Sequence, residues 1–210
     1  MPGAIVVEGH GEIDAAPNLV SRLGADLGVF IPWNKARRFK NLHLERGIRQ
    51  AAEVHRALPN VDALLILRDE DDQCPAEQAP RLAALLRELE LPFPAAVVLL
   101  HREYEVLFLP CVDIMAGQPL VTCGIERPGI VPGSRFEGDP ERIRGVKEWL
   151  SSRFPKGKSY KPTTDQLQLT RMIDFERLRA SGLPCFGSLE RGLRFLGSNL
   201  GIAGAVYPPA

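Results

Sequence analysis

Two hydrophobic patterns alternate along the first half of the chain. Three short aliphatic runs, at residues 4–7, 62–67 and 95–100, predict buried β-strands. Between them, hydrophobic residues recur every three or four positions, which predicts helices at residues 14–27, 44–58 and 75–89. Strands that alternate with helices are typical of a parallel sheet flanked by helices, so the pattern predicts an α/β fold.

The second half of the chain has a different character. Residues 113–138 are rich in glycine and proline and contain one weak strand pattern at 120–123. Helical patterns follow from Asp139, between Thr163 and Gly182, and from Ser188 to Gly197. We therefore expect residues 1–112 to form the α/β core. Residues 113–210 are expected to form a loop-rich insertion and a helical C-terminal part that pack on the core as one compact unit.

Composition and charge narrow the functional classes. The chain has 210 residues, and 26 Lys and Arg balance 26 Asp and Glu, so its net charge is zero. A neutral chain has no overall attraction to nucleic acid or to an anionic membrane, and any such contact must use a local basic patch. No apolar run approaches the roughly 20 residues that span a bilayer. Glu8 comes too early for the apolar stretch of a signal peptide, so we expect a cytoplasmic protein.

The cysteines support the same expectation. They are scattered along the chain without the short paired spacing of a zinc or redox site, and four are present: Cys74, Cys111, Cys123 and Cys185. We expect all four to be reduced thiols.

Acidic residues follow the first two predicted strands at the point where each strand ends. Glu8 comes directly after residues 4–7, and Asp69 and Asp71 follow residues 62–67. Neighbouring strands lie about 4.8 Å apart and their carboxyl ends share one edge of a parallel sheet, so we expect these carboxylates to lie close together. Such carboxylates repel one another unless a proton or cation neutralises them, and Mg²⁺ prefers oxygen ligands. The pattern predicts a magnesium or manganese site.

Glu12 extends this pattern, because it lies four residues after Glu8 at the predicted start of the first helix. There its carboxylate is expected to face the same edge of the sheet and to bind a second ion. Two ions suit phosphodiester cleavage, because one activates water and the other stabilises the leaving oxygen. The alternative is that residues 69–72 form only a solvated turn, in which Asp72 caps the helix that begins near Pro75.

Two segments resemble motifs of a known fold. Residues 6–9 with Glu12 are similar to the glutamate motif of Toprim domains, and residues 66–71 are similar to their Asp-x-Asp motif. Toprim domains are the metal-binding catalytic fold of topoisomerases, primases and overcoming-lysogenization-defect (OLD) nucleases, and the second glutamate makes the OLD branch the closer match. Residues 102–105 and 160–166 resemble a small bacterial family of OLD-like Toprim proteins, domain of unknown function 4276. The resemblance extends from Ile5 to about Leu193.

This resemblance implies a Toprim-like parallel sheet flanked by helices, with a C-terminal helical extension. It implies a Mg²⁺- or Mn²⁺-dependent nuclease that acts in phage defence or DNA repair, with DNA favoured over RNA and an AAA-type ATPase as a partner. Glu8 would act as general base or metal ligand, Asp69 and Asp71 as metal ligands, and Glu12 as ligand to a second ion. The oligomeric state stays open.

Basic residues supply candidate contacts for nucleic acid. Arg37, Arg38 and Lys40 lie near Trp33 and could follow a phosphate backbone while an aromatic ring stacks on a base, and Lys158 belongs to a second small basic cluster. Lys161, in the same cluster, could stabilise charge in a transition state. The alternative for both clusters is an ordinary solvated surface.

Arg102 and Glu105 are three positions apart, a spacing that favours an ion pair on the surface of a helix. Because both follow the third predicted strand, they could instead line a ligand-binding pocket.

Two other functions remain as alternatives. A phosphatase of the haloacid dehalogenase type would use Asp69 and Asp71, but Glu8 would then have no role, which makes this the weaker option. A non-catalytic Toprim-like subunit that binds nucleic acid or a partner protein also fits, and the neutral net charge mildly favours it.

Overall fold

A computed structural model describes residues 2–122 and 124–209 of the chain. Its centre is a parallel sheet of five strands in the order β2–β1–β3–β4–β7. The strands are β1 Gly3–Val7, β2 Arg37–Arg38, β3 Ala63–Asp69, β4 Ala95–Leu100 and β7 Val206–Tyr207. Helices cover both faces, so the predicted α/β class is confirmed.

Alternate residues of each central strand pack on opposite faces of the sheet. In β3, Leu65 joins a core that includes side chains of α1 (Glu12–Leu27) and α8 (Pro184–Ser198). Ile66 joins a second core with α2 (Glu45–Arg56) and α3 (Pro75–Glu88). Because both faces are covered, β1, β3 and β4 are apolar almost throughout, which explains their continuous aliphatic runs.

The segment between β4 and α8 contains short elements. They are a 3₁₀ helix Tyr104–Cys111, α4 Val112–Met115, the antiparallel hairpin of β5 Pro119–Thr122 and β6 Ile125–Pro128, α5 Val146–Ser152, α6 Pro162–Arg171 and α7 Phe175–Ala180. The strand predicted at 120–123 corresponds to β5, except that Cys123 lies outside the described residues.

Three predicted boundaries in the second half are wrong. The helix expected from Asp139 begins only at Val146, because Gly145 before it has the left-handed backbone conformation (φ 70°). The region from Thr163 to Gly182 is divided into α6 and α7, because Asp174 caps α7 by accepting hydrogen bonds from the amides of residues 176 and 177. The last helix begins at Pro184 rather than Ser188.

Strands β2 and β7 were not predicted. Each contains two residues, too few to show a strand pattern in the sequence. β7 pairs with β4 through Ala95 and Ala96, so the end of the chain contributes directly to the central sheet.

Two other expectations concern thiols and membranes. Cys74, Cys111 and Cys185 are free thiols, and Cys123 is not among the described residues. Across residues 2–122 and 124–209, no helix has both the length and the apolar character that crossing a bilayer requires.

Candidate active site

A cavity of about 970 Å³ opens at the carboxyl ends of β1 and β3. These strands are direct neighbours, with Val6 opposite Ile66, so the loop after β1 and the acidic run at the end of β3 lie side by side. The cavity is lined by all four acids predicted to bind metal: Glu8, Glu12, Asp69 and Asp71. Acids that are far apart in the sequence therefore share one concave surface.

Glu8 lies at the mouth of the cavity, where its side chain is 30% exposed. Its Oε1 is 3.4 Å from Nδ1 of His43, which also lines the cavity. The main-chain carbonyl of Glu8 accepts a hydrogen bond from Nε of Arg38, at 2.8 Å. The edge strand β2 thus fixes the loop that carries Glu8.

Glu12 is the first residue of α1, and its side chain is buried in the cavity. Burial and the nearby carboxylate of Glu105 raise the pKa of Glu12 to about 7, although hydrogen bonds from the backbone of Gly9 and Glu8 oppose this shift. A side chain on Gly9 would overlap the Glu12 carboxylate, which explains why the loop has no Cβ atom at that position. Glu12 is thus held close to the other acids despite their repulsion.

Asp69 is the last residue of β3, and its Oδ1 atom is buried without a hydrogen-bond partner among residues 2–122 and 124–209. Burial and the carboxylates of Glu12 and Glu105 raise the pKa of Asp69 well above its usual value. Asp71 is exposed at the rim of the cavity. The Asp-x-Asp pattern therefore supplies one partly buried and one solvated carboxylate.

The residues between and beyond these two aspartates have structural partners. Glu70 forms a buried ion pair with Arg68, which also donates a hydrogen bond to the carbonyl of Leu42 at 3.0 Å. Asp72 lies 3.3 Å from Arg144 on the surface. The predicted cap by Asp72 is not formed, because Cys74 occupies the N-cap position of α3 and no side chain caps that helix.

Glu105 also lines the cavity, although its spacing from Arg102 favoured a surface ion pair. The side chain is fully buried, and burial raises its pKa. Its Oε1 accepts hydrogen bonds from the hydroxyl of Tyr160 at 2.9 Å and from Nε2 of Gln166 at 3.3 Å. Its Oε2 has no hydrogen-bond partner in the described part of the chain. Glu105 is therefore a further acid of the cavity.

Lys147, in the first turn of α5, brings a positive charge into the cavity. Its Nζ lies 3.1 Å from Oε1 of Glu103, 3.5 Å from Oε2 of Glu105 and 4.0 Å from Oδ2 of Asp69. Burial lowers the pKa of Lys147, but these three carboxylates outweigh that effect and raise it overall. The lysine is therefore charged. No pattern in the sequence had singled it out.

The other predicted residues lie elsewhere. Lys161 is exposed at the N-cap of α6 and does not line the cavity, and its backbone amide donates to Oδ2 of Asp165 at 2.8 Å. The side chains of three predicted nucleic-acid contacts are also exposed and outside the cavity lining: Arg37, Lys40 and Lys158. Arg38 is half-buried against the Glu8 loop.

The donor atoms of the cavity suit a hard cation. Oδ1 of Asp69 and Oε2 of Glu105 are buried carboxylate oxygens for which the described residues supply no hydrogen-bond partner. In the part of the chain that is described, no three His, Cys, Asp or Glu side chains are arranged to enclose a metal ion. Mg²⁺ is usually held by only one or two carboxylates together with water and substrate phosphate, so this donor set still fits it.

Fold and site together define an α/β protein with a parallel sheet and an acidic cavity at the carboxyl edge of that sheet. A family model described as "Domain of unknown function (DUF4276)" matches residues 7–194, and the chain belongs to this family. No curated protein and no solved structure matches the chain.

Proposed function

We propose that this protein is a Mg²⁺- or Mn²⁺-dependent nuclease with a Toprim-like fold of the OLD-like branch. The observation that carries the proposal is that Glu8, Glu12 and Asp69 line one cavity, at the ends of adjacent parallel strands. The carboxyl edge of a parallel sheet is the usual place for a ligand site in α/β proteins. The order of the two motifs along the chain is also that of Toprim domains.

In this proposal Asp69 would hold one metal ion together with one further carboxylate, Asp71 or Glu8, and with water, and Glu12 would hold a second ion. A bound divalent cation would lower the pKa of water and offset the negative charge of the phosphodiester. Glu8 is exposed enough to meet substrate, and it accepts the proton of the attacking water while His43 orients its carboxylate. The new P–O bond forms from that water, and the ester oxygen leaves with a proton from solvent.

The substrate is nucleic acid, with DNA favoured over RNA. The exposed side chains of Arg37, Lys40 and Lys158 are available to bind phosphates, and half-buried Arg38 supports the Glu8 loop. An AAA-type ATPase partner, which the family resemblance implies, would present the substrate. The neutral net charge fits a nuclease that depends on such a partner for binding.

A cleavage assay tests this function. Supercoiled plasmid and a single-stranded oligonucleotide are incubated with Mg²⁺ or Mn²⁺ and with wild type, Glu8→Gln or Asp69→Asn. We expect each substitution to reduce cleavage by about a hundred-fold or more, as the loss of a catalytic group usually does. The matched control is Glu137→Gln, which changes a carboxylate that is 74% exposed and paired with Arg135 outside the cavity.

Cleavage that survives both cavity substitutions would contradict the proposed site. If wild type binds Mn²⁺ but cleaves neither substrate, the protein either requires its partner for cleavage or is a non-catalytic subunit that binds nucleic acid or a partner.

A further inference from the structure

The floor of the acidic cavity contains more negative than positive groups. We define the cavity floor as the carboxylates of Glu12, Asp69 and Glu105 together with the ammonium group of Lys147. Carboxylates that are withdrawn from water and close to one another cannot all ionise without a compensating cation. Lys147 is that cation in the structure, because its Nζ lies within 4.0 Å of both Asp69 and Glu105.

We propose that Lys147 is a built-in counter-cation, which offsets part of the negative charge of the cavity floor when no divalent cation is bound and competes with the divalent cation for Asp69 and Glu105. This inference rests on the proposed metal site. In this role Lys147 sets the affinity for metal as a positioning residue, because its ammonium group contacts the carboxylates that would bind the ion.

The contacts of Lys147 are suited to displacement of its side chain. Its backbone amide donates to Oε2 of Glu103 at 3.2 Å, so the start of α5 is held independently of the ammonium group. The shortest contact of Nζ is also with Glu103, at 3.1 Å, whereas Asp69 is 4.0 Å away. The ammonium group can therefore withdraw from Asp69 and keep its contact with Glu103.

The side chain also has access to solvent. It is 36% exposed, so it can leave the cavity floor without a movement of the surrounding core. Glu105, in contrast, is fixed in place by Tyr160 and Gln166. Among the described residues, Oε2 of Glu105 has no hydrogen-bond partner, and the ammonium nitrogen of Lys147 lies 3.5 Å from it. A fixed carboxylate oxygen opposite a movable cation is an arrangement in which one cation can replace another.

This role predicts an unusual effect of mutation. A lysine that only supports the fold would weaken Mn²⁺ binding when replaced, because the carboxylates would lose their positions. If the lysine only bound substrate phosphate, its replacement would not change the affinity for Mn²⁺ measured without substrate. A competing counter-cation, by contrast, gives tighter binding when it is removed, because the divalent ion no longer has to displace it or to overcome its repulsion.

The test is a calorimetric titration of the full chain with Mn²⁺ in the absence of nucleic acid. We compare wild type with Lys147→Met, which is unbranched and only one atom shorter than lysine and which removes the charge. The matched control is Lys156→Met, at an exposed lysine outside the cavity. We expect Lys147→Met to bind Mn²⁺ at least ten-fold more tightly than wild type, and Lys156→Met to bind like wild type.

Thermal unfolding supplies a second measurement. With EDTA present, Lys147→Met is expected to melt at a lower temperature than wild type, because the carboxylates repel without compensation. Excess Mn²⁺ is expected to raise its melting temperature by more than that of wild type, because stabilisation by a ligand grows with affinity. If Lys147→Met does not fold, Lys147→Gln replaces it in both measurements.

The outcomes separate this inference from the proposed function. If wild type binds Mn²⁺ and a folded Lys147 variant binds it equally or more weakly, the counter-cation role is wrong and the proposed metal site stands. If neither wild type nor the folded variant binds Mn²⁺ at millimolar concentration, both are wrong.

Discussion

The side chain of Arg38 is hydrogen-bonded to the main chain of Glu8: its Nε donates to the carbonyl oxygen at 2.8 Å. Arg38 lies on the edge strand β2, where it pairs with Val7, the last residue of β1. The sequence had suggested Arg38 only as a contact for nucleic acid. In the structure Arg38 has a second role, because its hydrogen bond holds the loop that positions Glu8.

This role is tested by comparing substitutions of the neighbouring residues Arg37 and Arg38. Arg38→Met removes the hydrogen bond to Glu8, whereas Arg37→Met removes an exposed charge on the same strand. We expect Arg38→Met to lower the free energy of unfolding by about 1 kcal/mol and to weaken Mn²⁺ binding several-fold. Arg37→Met should leave both quantities unchanged and weaken only nucleic-acid binding. Equal effects of the two substitutions on Mn²⁺ affinity would show that Arg38 does not support the Glu8 loop.

The raised pKa of Glu12 predicts how stability depends on pH. Burial and Glu105 raise this pKa from 4.5 to about 7, so between these pH values folded Glu12 retains a proton that the unfolded chain releases. The contribution of Glu12 to stability is therefore highest below about pH 4.5 and declines until about pH 7. The raised pKa values of Asp69 and Glu105 act in the same direction.

The measurement is the unfolding free energy in EDTA from pH 5 to pH 8, for wild type and Glu12→Gln. The glutamine does not titrate, so its variant should gain stability relative to wild type as the pH rises, by about 1–3 kcal/mol in total. If the two proteins follow parallel curves, Glu12 does not have a raised pKa.

Two glycines of the first loop are expected to respond differently to substitution by alanine. A Cβ atom on Gly9 would meet only the carboxylate of Glu12, whereas one on Gly11 would meet the side chain of Gln166 and the main chain of Pro162. A carboxylate can rotate away, but the start of α6 cannot move without disturbing the core. Gly11→Ala should therefore cost about 1–3 kcal/mol of stability. Gly9→Ala should leave the melting temperature nearly unchanged and weaken Mn²⁺ binding. The reverse order of melting temperatures would contradict this packing.

The hairpin of β5 and β6 is anchored to α6 by the ion pair of Arg127 with fully buried Asp165. Without Arg127 the buried carboxylate of Asp165 keeps only hydrogen bonds from the Lys161 amide and the Thr164 hydroxyl, so we expect Arg127→Met to cost about 2 kcal/mol. The control is Arg135→Met, in the exposed pair with Glu137, where a loss below about 1 kcal/mol is expected. Chemical denaturation measures both values, and equal losses would mean that the buried pair does not anchor the hairpin.

The sequence predicted the parts of the molecule that depend on local pattern. Aliphatic runs identified β1, β3 and β4, and the acids directly after two of these strands identified Glu8 and Asp69 as cavity residues. Both inferences need only the rule that parallel strands end at a common edge. The sequence also predicted a loop-rich segment after residue 112, but not what that part of the chain contributes to the cavity.

Glu105 and Lys147 could not be placed in the same way. Glu105 lies in the first turn of a 3₁₀ helix, and the one sequence signal for its burial is the apolar run at residues 106–109 that follows it. Lys147 reaches the cavity because Gly145 delays the start of α5, and nothing in the sequence distinguishes it from the other lysines. Long-range packing decides both positions, and such packing leaves no periodic pattern in the sequence.

The most direct test of the proposed metal site is anomalous diffraction from crystals of the protein soaked in Mn²⁺. The account predicts an anomalous peak in the cavity, with carboxylate oxygens of Asp69 and of Glu8 or Glu12 as ligands. A peak only at other positions, or no peak in the cavity of crystals soaked at millimolar Mn²⁺, would contradict it.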